Sequence, residues 1–413
     1  SRSIAIGFGA LNTQNFTSAT DAYNTAVGHS AGTAVSTGTQ NTLIGGLAGD
    51  AITTADNNTA VGYLSLSANT TGATNVAVGV AALDSNTTGS SNVGLGVNAL
   101  GTNTTASNNT AVGHEALKLN TTGTENVAVG AFAGDAITTS NYNTALGSGA
   151  LGADDLGSFS TAIGRATLAN QNYASATNSF NTAVGGNAGE QITTGIQNAL
   201  IGGLAGDALT DADFNTALGN AALGSDTTGS RSVAIGHNAL TTQNFTSATD
   251  TYNVAVGQNA GLAVTTGIQN TFIGGEAGKA VTTGGQNVLL GKSAAGGITE
   301  GSRNICIGIE AAQNTNNLTT GVDNIAIGYQ ARVNAGDAAN QMVMGKQVTC
   351  QGNNEFTFGN GATDSNIAFG ATSISAPSDE RYKEEITTST AGLSFIKDLR
   401  PVTFKWKKAK DVP

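Results

Sequence analysis

A short pattern of polar and apolar residues returns along most of the chain. Residues 24–28 read Asn-Thr-Ala-Val-Gly, and most steps between successive glycines that close this pattern are 17 residues long, with four stretched to 20 or 21. The closing glycines stand at positions 7, 28, 45, 62, 79, 96, 113, 130, 147, 164, 185, 202, 219, 236, 257, 274, 291, 308, 328, 345, 359 and 370. A fixed short period of this kind predicts a repeat architecture.

Each repeat is too short to hold a pair of helices. Its pentad alternates as a strand does, with Thr25 and Val27 on one side and Ala26 on the other. The sequence therefore predicts an all-β fold, a β-solenoid or β-roll of about 22 short coils over residues 1–370. Coils stacked at about 4.8 Å would form a rod on the order of 100 Å long.

The residue before the closing glycine is apolar in every repeat, and the residue two places earlier is mostly β-branched or apolar, as Val27 and Thr25 illustrate. Such shapes suit a stiff pleated strand, so we expect both columns to line the interior of the coil. The glycine would end the strand where a Cβ atom is not tolerated.

Asparagine opens 17 of the 22 pentads, as at Asn24, Asn41 and Asn58. Amides stacked at the spacing of successive coils can bond to one another and satisfy a turn that would otherwise leave buried polar groups bare. The opening asparagines are thus predicted to form a structural ladder along the rod.

A second alternation supports a closed coil. Alanine stands three residues after most closing glycines, as at Ala31 and Ala82. Either Leu follows directly, as Leu83 does, or a branched residue comes later, as Val35 does. One large side chain per coil at one of two places is what an interior of fixed cross-section requires.

The middle residue of the pentad is small and apolar where a solvent-facing position should vary toward polar residues. We therefore expect this column to contact other chains in a parallel homotrimer, with Leu43, Leu200 and Phe272 marking places where chains interdigitate or stand further apart. The predicted interface residues are Ala26, Ala60, Ala77, Ala111, Ala128, Ala234, Ala255 and Cys306.

Composition excludes several classes of protein. The 57 glycines and the charged fraction of 11% describe no ordinary globule, and proline is absent before Pro377, as expected where nearly every backbone N–H joins a ladder. Residues 1–378 hold 9 basic and 22 acidic side chains, a net charge of −13, so nucleic acid and anionic membranes are poor partners. No apolar run approaches the ~20 residues of a membrane span, so no membrane insertion is expected.

Candidate chemistry in the repeats is sparse, and no cofactor or metal is predicted. His29, His114 and His237 lie many coils apart, so only copies related by a three-fold axis could share a metal. The acidic residues at one coil position are read as a solvated edge rather than a glycosidase pair. They are Asp50, Asp135, Glu190 and Asp207. Cys306 is read as a packed thiol.

Two further features leave alternatives open. Three of the longer steps, residues 11–23, 168–180 and 240–252, add an aromatic pair such as Phe16 with Tyr23. These segments are either glycan-binding ledges or bulged loops that cover the coil edge. Repeated threonine pairs, as at Thr53-Thr54, are either an ice-binding array or turn residues, and the opposite directions of adjacent side chains favour turns.

The composition changes after residue 371. Residues 378–386 read Ser-Asp-Glu-Arg-Tyr-Lys-Glu-Glu-Ile, and Leu-Arg-Pro-Val-Thr-Phe-Lys-Trp follows at 399–406. This text resembles the beginning of the C-terminal intramolecular chaperone domain of phage tail spikes, tail fibres and endosialidases. We expect residues 371–378 to be a linker and residues 379–413 to be the beginning of a small α+β chaperone domain.

The resemblance implies self-cleavage by a Ser-Lys dyad, which here corresponds to Ser378 and Lys383 acting on the Ser378–Asp379 bond. A lysine can serve as the base only if burial or a neighbouring cation lowers its pKa, and trimer assembly could supply that burial. The alternative is that Ser378 only caps a helix. No turnover of an external substrate is expected.

The repeats also resemble the head domains of trimeric autotransporter adhesins in the Val-Ala-Ile-Gly motif of residues 233–236. Together the two resemblances predict a trimeric shaft of a phage tail fibre, tail spike or related virion appendage that attaches to a host. The implied partners are other tail or baseplate proteins and a host glycan or protein receptor. The implied location is the extracellular virion, after synthesis in the host cytoplasm. A surface adhesin and, less favoured, a glycan-degrading spike are the alternatives.

Overall fold

The structure, a computed structural model, describes residues 2–313 and 318–371. Throughout these ranges the backbone forms short strands, isolated bridges and turns, and no helix. One sheet contains 22 strands, and two further sheets contain two strands each. Each coil contributes one strand to the large sheet, so the predicted all-β solenoid is confirmed.

The strands in chain order are β1 (Ile4–Ile6), β2 (Thr25–Val27), β3 (Thr42–Ile44), β4 (Thr59–Val61), β5 (Val76–Val78), β6 (Val93–Leu95), β7 (Thr110–Val112), β8 (Val127–Val129), β9 (Thr144–Leu146), β10 (Gly157–Ser158), β11 (Thr161–Ile163), β12 (Thr177–Asn178), β13 (Thr182–Val184), β14 (Ala199–Ile201), β15 (Thr216–Leu218), β16 (Gly229–Ser230), β17 (Val233–Ile235), β18 (Thr249–Asp250), β19 (Val254–Val256), β20 (Thr271–Ile273), β21 (Val288–Leu290), β22 (Ile305–Ile307), β23 (Ile325–Ile327), β24 (Gln341–Gly345), β25 (Glu355–Gly359) and β26 (Asp364–Ala368). The small sheets pair β10 with β12 and β16 with β18.

Neighbouring coils pair in parallel and in register. Between β2 and β3, for example, Thr25 lies beside Thr42, Ala26 beside Leu43, and Val27 beside Ile44. Equivalent positions of the pentad therefore form continuous columns along the stack.

The last predicted coil is different. β26 runs antiparallel to β25, with Gly359 opposite Asp364. Only 11 residues separate Gly359 from Gly370, and this is too few to circle the coil. The prediction that the segment ending at Gly370 forms a twenty-second parallel coil is therefore wrong. Residues 355–368 instead form a hairpin at this end of the sheet.

The predicted assignment of the two strand faces is also wrong. The middle residues point into the coil and are buried, whereas Thr25 and Val27 stay partly accessible on the outer face. The predicted interface residues Ala26, Ala60, Ala77, Ala111, Ala128, Ala234, Ala255 and Cys306 are fully buried inside their own chain. The turns opposite lie close to this column, since a Cβ atom added at the middle residue Gly94 would lie 3.1 Å from the Ala99 carbonyl oxygen. Most middle residues are accordingly no larger than alanine.

Leu43, Leu200 and Phe272 follow the same rule, and they do not separate chains. A Cβ atom added at Gly32 would lie 2.6 Å from Leu43 Cδ1, and one added at Gly278 would lie 2.7 Å from Phe272 Cδ1. A large middle residue thus fills space that glycines of its own and the preceding coil leave open.

The opening asparagines form the predicted ladder. Asn41 donates its backbone N–H to Asn24 Oδ1 at 2.9 Å, and its Nδ2 donates to the Ala55 carbonyl at 2.9 Å. Each amide therefore joins one coil to the next and also closes the turn of its own coil. These side chains are buried, so the bonds replace those to water.

A second buried ladder was not predicted. In four successive coils an asparagine stands three residues after Leu66, Leu83, Leu100 or Leu117. Asn86 Nδ2 donates to Asn69 Oδ1 at 2.8 Å. Asn103 and Asn120 continue the series at 2.7 and 3.0 Å. The Leu-x-x-Asn spacing was a readable signal for it.

Candidate functional site

The outer face of the strand stack is an extended surface with a continuous apolar column. It consists of the first and third residues of the three-residue strands, with Met342 and Met344 as their equivalents in β24, and the third column is apolar throughout. Ile6, Leu146 and Ile201 are 59%, 44% and 41% exposed. Because monomeric soluble proteins rarely expose apolar patches this large, the face is a candidate contact surface.

Two of the long coils place their two aromatic residues on opposite sides, whereas Phe16 in the first long coil is only half-buried. Tyr173 and Phe245 turn inward and are buried, and Tyr173 Oη donates to the Gly195 carbonyl at 2.8 Å. Phe180 and Tyr252 point outward and are about half exposed. The inner ring covers the coil edge, as the bulged-loop interpretation expected, so the pair does not form a joint ledge.

A buried carboxyl group stands in the coil before each of two long coils. Asp154 Oδ2 accepts from Gln171 Nε2 at 2.6 Å, and Gln171 Nε2 also lies 2.7 Å from Ser160 Oγ. Burial raises the pKa of Asp154 to about 6, while the bond from Gln171 opposes that shift. Asp226 with Gln243 repeats the arrangement, and burial raises the pKa of Asp226 too.

The same arrangement explains why serine replaces the opening asparagine in these coils. Ser160 Oγ lies 2.5 Å from Ser179 Oγ, and Ser232 Oγ lies 2.6 Å from Thr251 Oγ1. Gln171 Oε1 accepts from Asn181 Nδ2 at 2.9 Å. At the longer coil, the side chain of Gln171 therefore connects Ser160 to Asn181 and so continues the ladder of opening residues.

The threonine pairs are turn residues. Thr53 Oγ1 donates to the Thr70 carbonyl and Thr70 Oγ1 to the Thr87 carbonyl, both at 3.1 Å. The first hydroxyl of each pair is thus bonded to the next coil, so only the second threonine, as at Thr54 and Thr71, is left exposed.

The other polar candidates remain separate. Within residues 2–313 and 318–371, no three His, Cys, Asp or Glu side chains converge as metal ligands. His29 stacks on Phe8 at 5.6 Å between ring centroids, and His114 meets Phe132 edge-on at 5.2 Å. Asp50 and Asp207 lie at the coil edge, where burial raises their pKa.

The thiol of Cys306 is buried in the core, which agrees with its interpretation as a packed thiol. Burial raises its pKa to about 12, which disfavours the reactive thiolate. In the described part of the chain, no helix is long and apolar enough to cross a bilayer.

Ser378, Lys383 and the Ser378–Asp379 bond lie outside the described residues, and so does nearly all of the predicted linker. The dyad remains a prediction from sequence.

Comparison with known proteins identifies one region. Residues 378–412 match the family model described as chaperone of endosialidase. No curated protein and no solved structure matches the chain. The match covers the segment in which the sequence resemblance was found, so a long β-solenoid is followed by a segment similar to an endosialidase chaperone.

Proposed function

We propose that the chain is the shaft of a trimeric phage tail fibre, tail spike or related virion appendage. The observation that carries this proposal is the match of residues 378–412 to the chaperone of endosialidase directly after a solenoid of parallel strands. Enzymatic turnover has no part in it, because a stiff rod with a narrow, filled interior serves to hold parts at a distance.

The outer strand face is the proposed trimer contact. Its third column runs apolar from Ile6 to Met344, and three such faces around one axis would remove it from water at roughly 25 cal/mol per Å². Closed rings with rotational symmetry are the usual form of homo-oligomers. The buried alanines support the trimer only indirectly, by letting the strands close into a coil.

The chaperone segment would solve a problem of register. Successive coils are similar, so a strand could pair with the wrong neighbour, and such a slip would shift every following column. Assembly of three chaperone segments first would align the chains before the shaft forms. Cleavage between Ser378 and Asp379 would then remove the template, so that the finished trimer is kinetically trapped.

The proposed place of action is the extracellular virion, with synthesis in the host cytoplasm. There the shaft would be joined to other tail or baseplate proteins and would serve attachment to a glycan or protein receptor of the host. The acidic shaft supports a role in which nonspecific adhesion to nucleic acid or anionic lipid is avoided.

The trimer is tested by placing a charge on the outer strand face. Leu146→Glu leaves the interior of the coil intact but puts a carboxylate at the proposed axis, so we expect about a tenfold or greater loss of trimer in sedimentation velocity. Thr88→Glu, at an exposed turn, is the matched control and should assemble normally.

Electron microscopy of the same samples distinguishes the alternatives. A detergent-resistant rod of three chains supports the proposal, whereas a monomeric wild-type rod contradicts it. Loss of surface polysaccharide on incubation with the rod would favour a degrading spike, and binding to host matrix would favour an adhesin.

A further inference from the structure

Two columns of side chains border the outer strand face. We call the residue before each opening pentad position the leading edge, and the residue after each closing glycine the trailing edge. In one coil these are, for example, Tyr142 and Ser148. Six residue steps of about 3.3 Å separate them across the strand, so the two edges of a chain are too far apart to touch.

The leading edge carries an exposed aromatic ladder over part of the rod. The rings of Tyr142 and Phe159 stack with centroids 4.8 Å apart, and Phe159 and Phe180 continue at 5.2 Å. After Gln197 come Phe214 and Arg231, whose guanidinium carbon lies 4.7 Å from the Phe214 ring centre. The ring contacts therefore run from 142 to 180 and the cation contact joins 214 to 231, with Gln197 between the two parts, and most of the rings are about 40–50% exposed.

These rings occupy an unfavourable backbone position. Tyr142, Phe159 and Phe214 have φ values of 61°, 62° and 60°, a left-handed conformation that bulky residues disfavour. Elsewhere the same column holds residues that tolerate it, such as Asn57 and Asn108. Aromatic residues are thus present here although neither burial in their own chain nor backbone preference calls for them.

The trailing edge varies in the opposite sense. In the coils led by Tyr142, Phe180 and Phe214, it is small or polar at Ser148, Gly186 and Asn220. In an earlier group of coils the leading edge is Asn57, Thr74 and Ser91, and the trailing edge is Tyr63, Val80 and Val97. Tyr63 is 54% exposed. Large on one edge goes with small on the other in these six coils. The coil of Phe159 is different, because its trailing residue is the large Arg165, whose Nη1 donates to Asn187 Oδ1 in the next coil at 3.2 Å.

We propose that the leading edge of one chain packs against the trailing edge of the next chain at the same coil. This inference rests on the proposed trimer and specifies which surfaces meet in it. In a ring of three, each contact joins two different edges at one height, so a large residue on one side requires a small one opposite. Because the two edges cannot touch within a chain, contact between chains accounts for the size compensation.

The stacking favours a second copy of the chain over a sugar as the occupant. The faces of Tyr142, Phe159 and Phe180 cover one another, so the ladder presents ring edges outward and offers little free face to a pyranose ring. Both edges also continue the apolar strand face, which extends the proposed trimer contact sideways.

Some coils have a large residue on both edges. In the examples below, one of the two large side chains contacts a neighbouring coil of its own chain. His29 stacks on Phe8, and Tyr23 Oη accepts from Arg2 at 2.9 Å. Arg303 is held by Asp323 in two bonds of 2.6 and 2.9 Å. In these coils the bonded side chain lies along the rod and does not extend outward toward another chain.

A size exchange within one coil tests the contact. A Cβ atom at Gly186 meets nothing within 4 Å in its own chain, and Phe180 has a φ of 49° that glycine adopts readily. Gly186→Phe should lower the trimer fraction about tenfold by crowding Phe180 of the next chain. Phe180→Gly combined with Gly186→Phe should restore it, because the large residue has only changed sides.

Cysteine pairs provide a second measurement. Gln197→Cys with Gly203→Cys places thiols on both edges of one coil, and mild oxidation should give covalent trimers in denaturing gels. Each single variant should give none, and the native Cys306 and Cys350 are both buried and should not interfere.

The outcomes separate the two proposals. A wild-type chain that is monomeric in sedimentation overturns both. A wild-type trimer that tolerates Gly186→Phe and forms no cross-link through 197 and 203 overturns the edge contact alone. Circular dichroism of each variant identifies any that fail to form the coil, and the cysteine pair then decides.

Discussion

At the scale of single residues, the backbone decides whether a buried ladder position is an amide or an acid. Asn86 Nδ2 donates to the Gly89 carbonyl at 2.9 Å. At Asp154 the residue three places on, Gly157, instead presents its N–H, which lies 2.8 Å from Asp154 Oδ1. An acceptor is needed there, and a carboxyl group supplies two. The cost of burying that charge appears in the raised pKa.

The stability of the rod should therefore depend on the protonation of Asp154. Its pKa rises from 3.8 in the unfolded chain to about 6 in the fold, so its contribution is fully present below pH 3.8 and is lost as pH rises through 6. The difference corresponds to about 3 kcal/mol. Thermal unfolding followed by circular dichroism at about pH 4 and pH 7 measures it, and Asp154→Asn should flatten this part of the pH dependence.

Asp337→Asn is the matched control for that experiment, because Asp337 is exposed and its replacement should leave the profile unchanged. An Asp154→Asn profile that follows the wild type between these pH values would show that the buried acid does not govern the effect.

The residue pattern specified spacing but not direction. In Thr25-Ala26-Val27 both faces of the strand are compatible with an interior, because neither face carries charge, and a period of two gives the same strand for either choice. Hydrophobicity alone assigns the larger residues, such as Thr25 and Val27, to the core. The structure selects alanine because the turns opposite lie so close. The pairing of Leu43 with glycines at 32 and 49, repeated by Leu200 and by Phe272, is the sequence feature that reveals this narrowness.

At the scale of the coil, the closing glycine sets how closely two turns approach. Gly130 has a φ of 138°, and a Cβ atom there would lie 2.6 Å from the carbonyl carbon of Gly147 in the next coil. Both conformation and contact thus exclude a side chain. The recurrence of glycine at every period was sufficient to predict the turn, whereas the antiparallel β26 required counting the residues left to form a coil.

Gly130→Ala should consequently destabilise the stack by about 3 kcal/mol or more, because the coils must separate or the backbone must change conformation. Gly275→Ala is its control, since a Cβ atom at Gly275 meets nothing within 4 Å. Denaturant midpoints of the two variants give the comparison. Equal midpoints would show that neighbouring coils can move apart to accept the extra methyl group at little cost in stability, which would contradict the prediction.

At the scale of the whole molecule, the shaft and the chaperone segment have different sequence signals. The shaft was predictable because the same pentad pattern recurs some twenty times. An atypical residue in one coil therefore does not obscure the pattern. The dyad was identified from a resemblance over a short segment, and no repetition supports it. Its test must therefore be chemical.

Cleavage of the precursor is the expected consequence of the dyad. Mass spectrometry should find a product that ends at Ser378, and Ser378→Ala should leave the full-length chain in a trimer because the nucleophile is lost. Lys383→Ala should have the same effect, whereas Lys397→Ala should still be cleaved. Continued cleavage in Ser378→Ala would remove both residues from the proposed chemistry.

The reversed direction of β26 has a consequence for how many rods can join. A parallel stack ends in an unpaired row of backbone N–H and C=O groups, onto which the first strand of another molecule could add, and repetition of that step would produce an open filament. The hairpin β25–β26 occupies the outer row with a strand of opposite polarity, so the register that continues the coil ends there. Rods of defined length, rather than polymers growing from this terminus, are what such a cap would produce.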